Sequence, residues 1–209
     1  MRRQAADPEA ARGLTRTIEP MALGTLDSLR VRAESCTACG LAATRTKVVF
    51  GVGGTSSGLL VVGEGPGREE DLRGEPFVGR SGQLLDRLVE EELGLTRASF
   101  YIANVVKCRP PGNRDPSPGE VASCSGFLDA QVELVDPRVV VTLGNVATRV
   151  LLGTDQGIST LRGQVHSWRG RRLVPTFHPA YALRGGGAVV AMMRADLVRA
   201  KQALAKAPS

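Results

Sequence analysis

One stretch of this sequence, residues 59–93, constrains the fold more than any other. It begins with the apolar run LLVV at 59–62, which predicts a strand buried on both faces. The sequence GEGPG follows at 63–67, where three glycines let the backbone approach a small ligand closely. Residues 81–93 place apolar side chains on one face of a predicted helix, with Ser81 as N-cap and Gly94 as C-terminal stop. This order predicts a ligand pocket at the carboxyl end of the strand.

The glycine loop matches neither of two common nucleotide-binding loops. No Gly-Lys-Ser/Thr sequence follows it, which excludes a phosphate-binding P-loop. Pro66 and a long polar insert before the helix depart from the dinucleotide-binding fingerprint. The insert carries one isolated aromatic residue, Phe77, which we interpret as a lid over the predicted pocket.

Strands and helices alternate along the chain. Strands are predicted at 59–62, 101–106, 139–143 and 173–177, and helices at 25–33, 81–93, 118–134, 146–152 and 189–205. This alternation predicts an α/β fold with a central, mainly parallel four-stranded sheet covered on both faces. Residues 1–24 are polar and rich in alanine and arginine, and they are predicted to form a flexible N-terminal segment. Residues 25–209 then form a single domain.

Polar residues stand where three of the predicted strands end. Glu64 follows the first strand, Asn104 lies within the second, and His178 follows the fourth. Because the carboxyl ends of parallel strands share one edge of the sheet, we expect these side chains to converge. Glu64 is the first candidate for a catalytic carboxylate, since burial would shift its pKa. In the acidic run at 69–71, Asp71 is a second candidate, and the two glutamates are interpreted as a solvated face.

Charge and hydropathy narrow the class of partner. The net charge is +6 and the pI is near 9.6, which suits a polyanionic partner. No run approaches the roughly 18 apolar residues that a membrane span needs. The first residues, MRRQAADPEAARG, lack an apolar signal region, so a cytoplasmic chain without a membrane association is predicted.

The four cysteines have a spacing typical of a metal centre. Cys36 and Cys39 form a C-x2-C pair, while Cys108 and Cys124 lie far along the chain. Four thiolates are the complement for tetrahedral zinc or for an iron–sulfur cluster. Disulfides are the weaker alternative in a cytoplasmic chain, and unconnected buried cysteines remain open as a further interpretation.

Four collinear motifs together resemble the family 4, iron–sulfur uracil-DNA glycosylases. They are GEGPGREEDLRGEPFVGRSGQLLD at 63–86, NVVKCRPPGNRDPSPGEVASC at 104–124, LGNVA at 143–147 and FHPAYALR at 177–184. The C-x2-C sequence at Cys36 fits the same family, and the resemblance covers roughly residues 30–205. It implies a three-layer α/β/α domain that removes uracil from DNA in base excision repair by hydrolysing the N-glycosidic bond.

The resemblance also implies a role for individual residues. The four cysteines would hold a 4Fe–4S cluster. The uracil would contact Glu64, Gly65, Pro66, Phe77, Asn104 and His178, with Phe77 stacking on the ring and His178 facing O2. Tyr181, Leu183 and Arg184 would contact DNA, which is expected to be double-stranded, with single-stranded DNA as an open alternative. His178 and Glu64 are the predicted catalytic residues, with Asp71 in reserve. The best-known branch of the superfamily has a water-positioning aspartate where this chain, like family 4, has Gly65, so positioning of the water without a strong base stays open.

Three other functions stay open on the sequence. One is the relative that becomes covalently joined to uracil-containing DNA through a histidine, although no histidine lies between Lys107 and Cys124. Another is a non-catalytic iron–sulfur module that binds nucleic acid, and a third is an enzyme acting on a free nucleotide. The expected assembly is a monomer, acting in the cytoplasm at the nucleoid.

Overall fold

The computed structural model describes residues 24–206 of the chain. The predicted flexible segment at 1–24 therefore lies, apart from Gly24, outside the described residues. The described helices are α1 Leu26–Glu34, α2 Arg68–Arg73, α3 Arg80–Leu93, α4 Pro118–Val135, α5 Gly144–Leu152, α6 Ile158–Leu161 and α7 Pro179–Lys206, with 3-10 turns at Gly40–Ala43 and Pro111–Asn113. The described strands are β1 Val52–Gly53, β2 Leu59–Gly63, β3 Tyr101–Asn104, β4 Val139–Leu143, β5 His166–Trp168 and β6 Arg171–Thr176.

The strands form one sheet in the order β1-β3-β2-β4-β6-β5. The four central strands are parallel, and β2 pairs with both β3 and β4. Every residue of β2 and β4 is buried, as their uninterrupted apolar sequences predict. The carboxyl ends of β2, β3 and β6 therefore share one edge of the sheet, which is where Glu64, Asn104 and His178 stand.

Helices cover both faces of the sheet, which confirms the three-layer α/β/α prediction. Alternate strand residues such as Leu59 and Val61 pack against α3 and α7, through side chains that include Leu85 and Met193. Their neighbours on the strands, such as Leu60, pack against α4 and α5 instead. The apolar side chains thus form two core layers within one domain, and α1 packs on the outside against α4.

The sheet has six strands where the sequence predicts four. The two additional strands, β1 and β5, are short, lie at the edges and pair antiparallel with β3 and β6. Both are partly exposed, so they lack the long apolar run that marks the central strands. The predicted strand at 101–106 ends at Asn104, although Val105 and Val106 still donate backbone hydrogen bonds to the carbonyls of Gly63 and Glu64.

The predicted helix ends are correct at some places and wrong at others. Ser117 and Glu120 form the predicted capping box of α4, and Gly94 ends α3 in a left-handed conformation. Ser81 is not an N-cap, because α3 begins at Arg80 with Gly79 before it. The last helix begins ten residues earlier than predicted, at Pro179, and its backbone leaves helical geometry at Gly186 with φ 70° and ψ −162°. None of the described helices combines the length and apolarity needed to cross a membrane.

Candidate functional site

A cavity of about 490 Å³ opens at the carboxyl ends of the parallel strands. The glycine loop after β2, the lid residue, the end of β3, the loop before α4 and the start of α7 line it. Its walls include the following of the predicted site residues: Glu64, Gly65, Pro66, Phe77, Asn104, His178, Tyr181 and Arg184. Residues that are far apart in the sequence are therefore brought together as their positions at strand ends predict.

The lid residue Phe77 is held in an unusual backbone conformation. Its φ is +56°, a left-handed value that side chains other than glycine seldom adopt. A Cβ atom at Gly82 of α3 would overlap the carbonyl group of Phe77, so the helix approaches this turn as only glycine permits. The Phe77 ring lies over Gly63, and its centroid is 5.8 Å from that of the His178 ring. Contacts with Gly82 of α3, with Gly63 and with His178 therefore hold Phe77 in position.

Glu70 holds the turn that carries the lid. One carboxylate oxygen, Oε1, accepts hydrogen bonds from the backbone amides of Val78 at 3.0 Å and Gly79 at 3.1 Å. Glu70 also lines the cavity and is buried. The interpretation of Glu70 as part of a solvated face is therefore wrong, because the short helix α2 turns this side chain inward. Glu69, its neighbour, is exposed as expected.

Asn104 lines the cavity and carries a buried, unpaired polar atom. The residue is 1% exposed, and its Oδ1 has no hydrogen-bond partner among residues 24–206. A Cβ at Gly63 would overlap this oxygen, so a glycine at the end of β2 makes room for it. An unsatisfied buried acceptor costs about 1–3 kcal/mol, a cost that a ligand with a suitable donor would remove. The site is therefore suited to a small ligand that carries an N–H group.

His178 is a neutral imidazole with a defined tautomer. The backbone amide of Ala180 donates to Nδ1 at 3.1 Å, so the ring proton resides on Nε2. Burial, followed by the positive charge of Arg184, lowers the pKa of His178 to about 4, and the negative charge of Glu70 partly opposes this. The ring is therefore uncharged at neutral pH and offers an N–H donor.

Glu64 is a carboxylate whose charge is costly in this cavity. Burial, followed by the nearby negative charge of Asp115, raises the pKa of Glu64 to about 7. Asp115 lies in the loop before α4 and lines the same cavity. Asp115 was not predicted as a site residue, because it is one of several closely spaced charged residues in its loop and no pattern distinguishes it from them.

Two predicted site residues stand elsewhere. Asp71 is 3% exposed, and its Oδ1 accepts hydrogen bonds from the backbone amides of Thr46 at 2.8 Å and Lys47 at 3.3 Å. It is not among the described residues that line the cavity, and its hydrogen bonds explain its burial. Leu183 also lies outside the cavity, and its side chain is exposed on α7.

The four cysteines line a second, smaller cavity. Cys36 and Cys39 come from the segment after α1, Cys108 follows β3, and Cys124 lies on α4. All four are free thiols. Among residues 24–206, no group of three or more His, Cys, Asp or Glu side chains has the arrangement that would hold a single metal ion.

The donor set around this cavity nevertheless suits a multi-iron group. In a cluster each thiolate binds a different iron atom, so the four sulfurs need not reach one common ion. The backbone amide of Lys107 donates to Cys124 Sγ at 3.3 Å, and Arg45 Nη1 donates to Cys108 Sγ at 3.4 Å. Donors of this kind stabilise thiolate sulfur, whereas burial alone raises the pKa of both cysteines.

Comparison with known proteins gives the family. A sequence model of the Uracil DNA glycosylase superfamily matches residues 50–204. The type-4 uracil-DNA glycosylase of Thermotoga maritima is 49% identical over 155 residues, which cover 73% of this chain and 80% of that protein. The type-4 enzyme of Sulfurisphaera tokodaii is 40% identical, with 77% of each chain covered, and that of Saccharolobus solfataricus is 37% identical, with 89% of each covered. The chain belongs to the type-4 family of the uracil-DNA glycosylase superfamily.

Proposed function

We propose that this chain is a DNA-repair glycosylase, which hydrolyses the N-glycosidic bond of uracil in DNA and leaves an abasic site. One observation carries the proposal: Asn104, whose Oδ1 is unpaired, lines the same cavity as Phe77 and the neutral His178. Together these groups supply a hydrogen-bonding edge, a stacking face and a donor for one small planar base. The activity of the type-4 relatives, which are uracil-DNA glycosylases, supports the same conclusion.

The cavity is suited to a base that has left the duplex. A base cannot be reached within the stack, so it must be flipped out at a cost of a few kcal/mol, and stacking on Phe77 recovers part of that cost. The Asn104 amide can accept from uracil N3–H and donate to uracil O4. Cytosine presents the opposite pattern at these two positions, so it would leave the buried amide unsatisfied.

His178 is suited to stabilise the leaving base. Cleavage of the bond places negative charge on the uracil, including its O2. The Nε2–H of a neutral imidazole can donate to this oxygen, and the Ala180 amide on Nδ1 keeps the proton on the correct nitrogen. Burial holds the ring in its neutral form, so its strength as a donor does not depend on pH near neutrality.

Glu64 is the carboxylate that we assign to the sugar side of the reaction. In its ionised form it can stabilise positive charge on the sugar or take a proton from the attacking water. Its position in the glycine loop favours it over Asp71, whose carboxylate accepts hydrogen bonds from two backbone amides away from the cavity. Asp115 adds negative charge on the same wall of the cavity.

The first segment of α7 is suited to contact the DNA. Tyr181 and Arg184 line the cavity, and the exposed Arg184 can bind a phosphate. Leu183 is exposed beside them, and an apolar side chain at that place can occupy the space that a flipped base leaves behind. We expect the chain to act as a monomer at the nucleoid of the cytoplasm, on double-stranded DNA and also on single strands.

The four cysteines are assigned to a 4Fe–4S cluster. Such a cluster would join the segment after α1, the end of β3 and α4, and the chemistry it supplies is four iron–thiolate bonds that hold these three elements together. Iron and acid-labile sulfide should be present at four each per chain in freshly purified protein. Cys108→Ala should reduce the yield of folded protein more than its specific activity, and a well-folded, iron-free variant would argue against a structural cluster.

The activity is tested with a labelled oligonucleotide that contains a single uracil. After incubation with the purified protein, alkali should break the strand at the uracil, while a thymine-containing control stays intact. A slowly migrating band that survives denaturation would indicate the covalent relative instead. Intact substrate with iron-loaded protein would overturn the proposal and favour a non-catalytic module.

A further inference from the structure

A buried lysine lies between the base-binding asparagine and the cysteine cavity. Lys107 is 2% exposed, and its Nζ donates to the backbone carbonyl of Asn104 at 2.7 Å and to Gln131 Oε1 at 2.5 Å. Its own backbone amide donates to Cys124 Sγ at 3.3 Å. One residue thus contacts the chain at Asn104 through its side chain and the cysteine cavity through its main chain.

The lysine is itself held by a second buried side chain. Gln131 of α4 is fully buried, and its Nε2 donates to the carbonyl of Phe50 at 2.9 Å and to the hydroxyl of Tyr101 at 3.2 Å. Both polar atoms of the Gln131 amide are therefore used, which fixes the direction in which Oε1 meets Lys107. Lys107 Nζ, both polar atoms of the Gln131 amide and the Tyr101 hydroxyl therefore each have a hydrogen-bond partner, which favours a rigid network.

This network ends on the short segment that shapes the base-binding wall. Val105 and Val106 donate backbone hydrogen bonds to the carbonyls of Gly63 and Glu64 at 2.9 and 3.1 Å. Asn104 precedes these two residues, and Cys108 follows Lys107. The backbone from 104 to 108 therefore runs from the base-binding site to the cysteine cavity, and Lys107 Nζ folds back to hold its first carbonyl.

We propose that Lys107, held by Gln131, is a positioning residue for Asn104, so that the cysteine cavity and α4 set the orientation of the amide that reads the base. The role rests on the proposed function, since it concerns the same reaction. Lys107 touches neither the base nor the sugar in this scheme. It acts through the Asn104 main chain, and displacement by a fraction of an ångström is enough to weaken a two-point contact.

A double-mutant cycle tests the coupling. Single-turnover rates on the uracil oligonucleotide are measured for the wild type, Lys107→Met, Asn104→Ala and the double variant. Lys107→Met should lower the rate roughly 10- to 100-fold in the wild-type background and less than about 2-fold in the Asn104→Ala background. Equal losses in the two backgrounds would overturn the proposal, because a general effect on folding or on the cluster does not depend on Asn104.

Two further measurements separate positioning from stability. Calorimetric binding of free uracil should weaken in Lys107→Met protein whose iron content matches the wild type, and unchanged affinity would count against the role. Tyr101→Phe is the matched control, because Gln131 Nε2 keeps its shorter hydrogen bond to the Phe50 carbonyl and Oε1 stays on Lys107, so the wild-type rate should be kept. If Lys107→Met does not fold, the same cycle is run with Gln131→Met, which removes the support of the lysine but keeps its contact with Asn104.

The outcomes also separate this proposal from the function on which it rests. Wild-type protein that releases no uracil would overturn the glycosylase assignment itself. Wild-type protein that releases uracil, combined with additive losses in the cycle, would overturn the role of Lys107 alone.

Discussion

The methylene carbon of Gly82 lies against the carbonyl group of Phe77, so closely that a methyl group on the glycine would overlap the carbonyl oxygen. This contact allows helix α3 to support a residue whose φ is +56°. The position of the lid ring therefore depends on a helix glycine that lines no part of the cavity.

Gly82→Ala should destabilise the protein and displace the lid. Because the overlap is with main chain, we expect the free energy of unfolding to fall by about 1–3 kcal/mol and uracil release to slow. Urea unfolding and single-turnover rates measure the two effects. Gly126→Ala is the matched control, since it adds a methyl group in open space on α4 and should stabilise by up to about 1 kcal/mol. Equal behaviour of the two variants would show that the contact has no structural importance.

Asn104→Leu should separate stability from activity. The leucine side chain has a size similar to that of asparagine but no polar atom, so the free-energy cost of burying the unpaired Oδ1 disappears. We expect the free energy of unfolding to stay level or to rise by about 1 kcal/mol, while uracil release falls at least roughly 10²-fold. Denaturant unfolding and a single-turnover assay on the same preparation test this. A strongly destabilised variant would mean that the amide supports the fold rather than the ligand.

The rate of uracil release should rise with pH through about 7. Burial and Asp115 raise the pKa of Glu64 to about 7, and only the ionised carboxylate can act on the sugar or the water. The ionised fraction therefore increases as pH rises, whereas His178 remains neutral above a pKa of about 4. Single-turnover rates between roughly pH 5.5 and 8.5, about one and a half pH units either side of the Glu64 pKa, should follow this titration. Glu64→Gln should be slower and flat, and an unchanged profile in that variant would assign the titration to another group.

Glu70→Ala should loosen the lid while leaving Asn104 in place. The substitution leaves the amides of Val78 and Gly79 without their carboxylate partner, so the turn before α3 loses its support. We expect weaker binding of uracil-containing DNA and a loss of about 1–3 kcal/mol in the free energy of unfolding. Glu69→Ala is the control one residue away, where an exposed pair with Arg73 contributes little. Identical effects from both substitutions would show that Glu70 has no specific role in holding the turn before α3.

The convergence of Glu64, Asn104 and His178 was predictable because each lies at or just after the carboxyl end of a parallel strand. Each follows or ends an apolar strand, and parallel strands end at one edge of the sheet. The buried strands are themselves predictable, because they contain runs of apolar residues. These parts of the fold are encoded locally, so sequence patterns reveal them.

The roles of Glu70 and Asp71 were not predictable from their neighbourhood. Both lie in a polar helix of six residues, too short to show a periodic pattern. One carboxylate reaches the turn before α3 and the other reaches the backbone at 46–47, and these partners are set by tertiary packing. The edge strand β1 and the contact of Lys107 with Gln131 escaped prediction for the same reason, since their partners lie tens of residues away.

The hydrogen bond from Ala180 to His178 has a consequence for how this site tolerates change. The donor is a main-chain amide, so the tautomer of the ring is set by the backbone and not by another side chain. Every residue except proline at position 180 offers that same amide. The tautomer of the His178 ring therefore does not depend on which side chain stands at position 180, and a survey of side-chain substitutions around the cavity would not detect this contact.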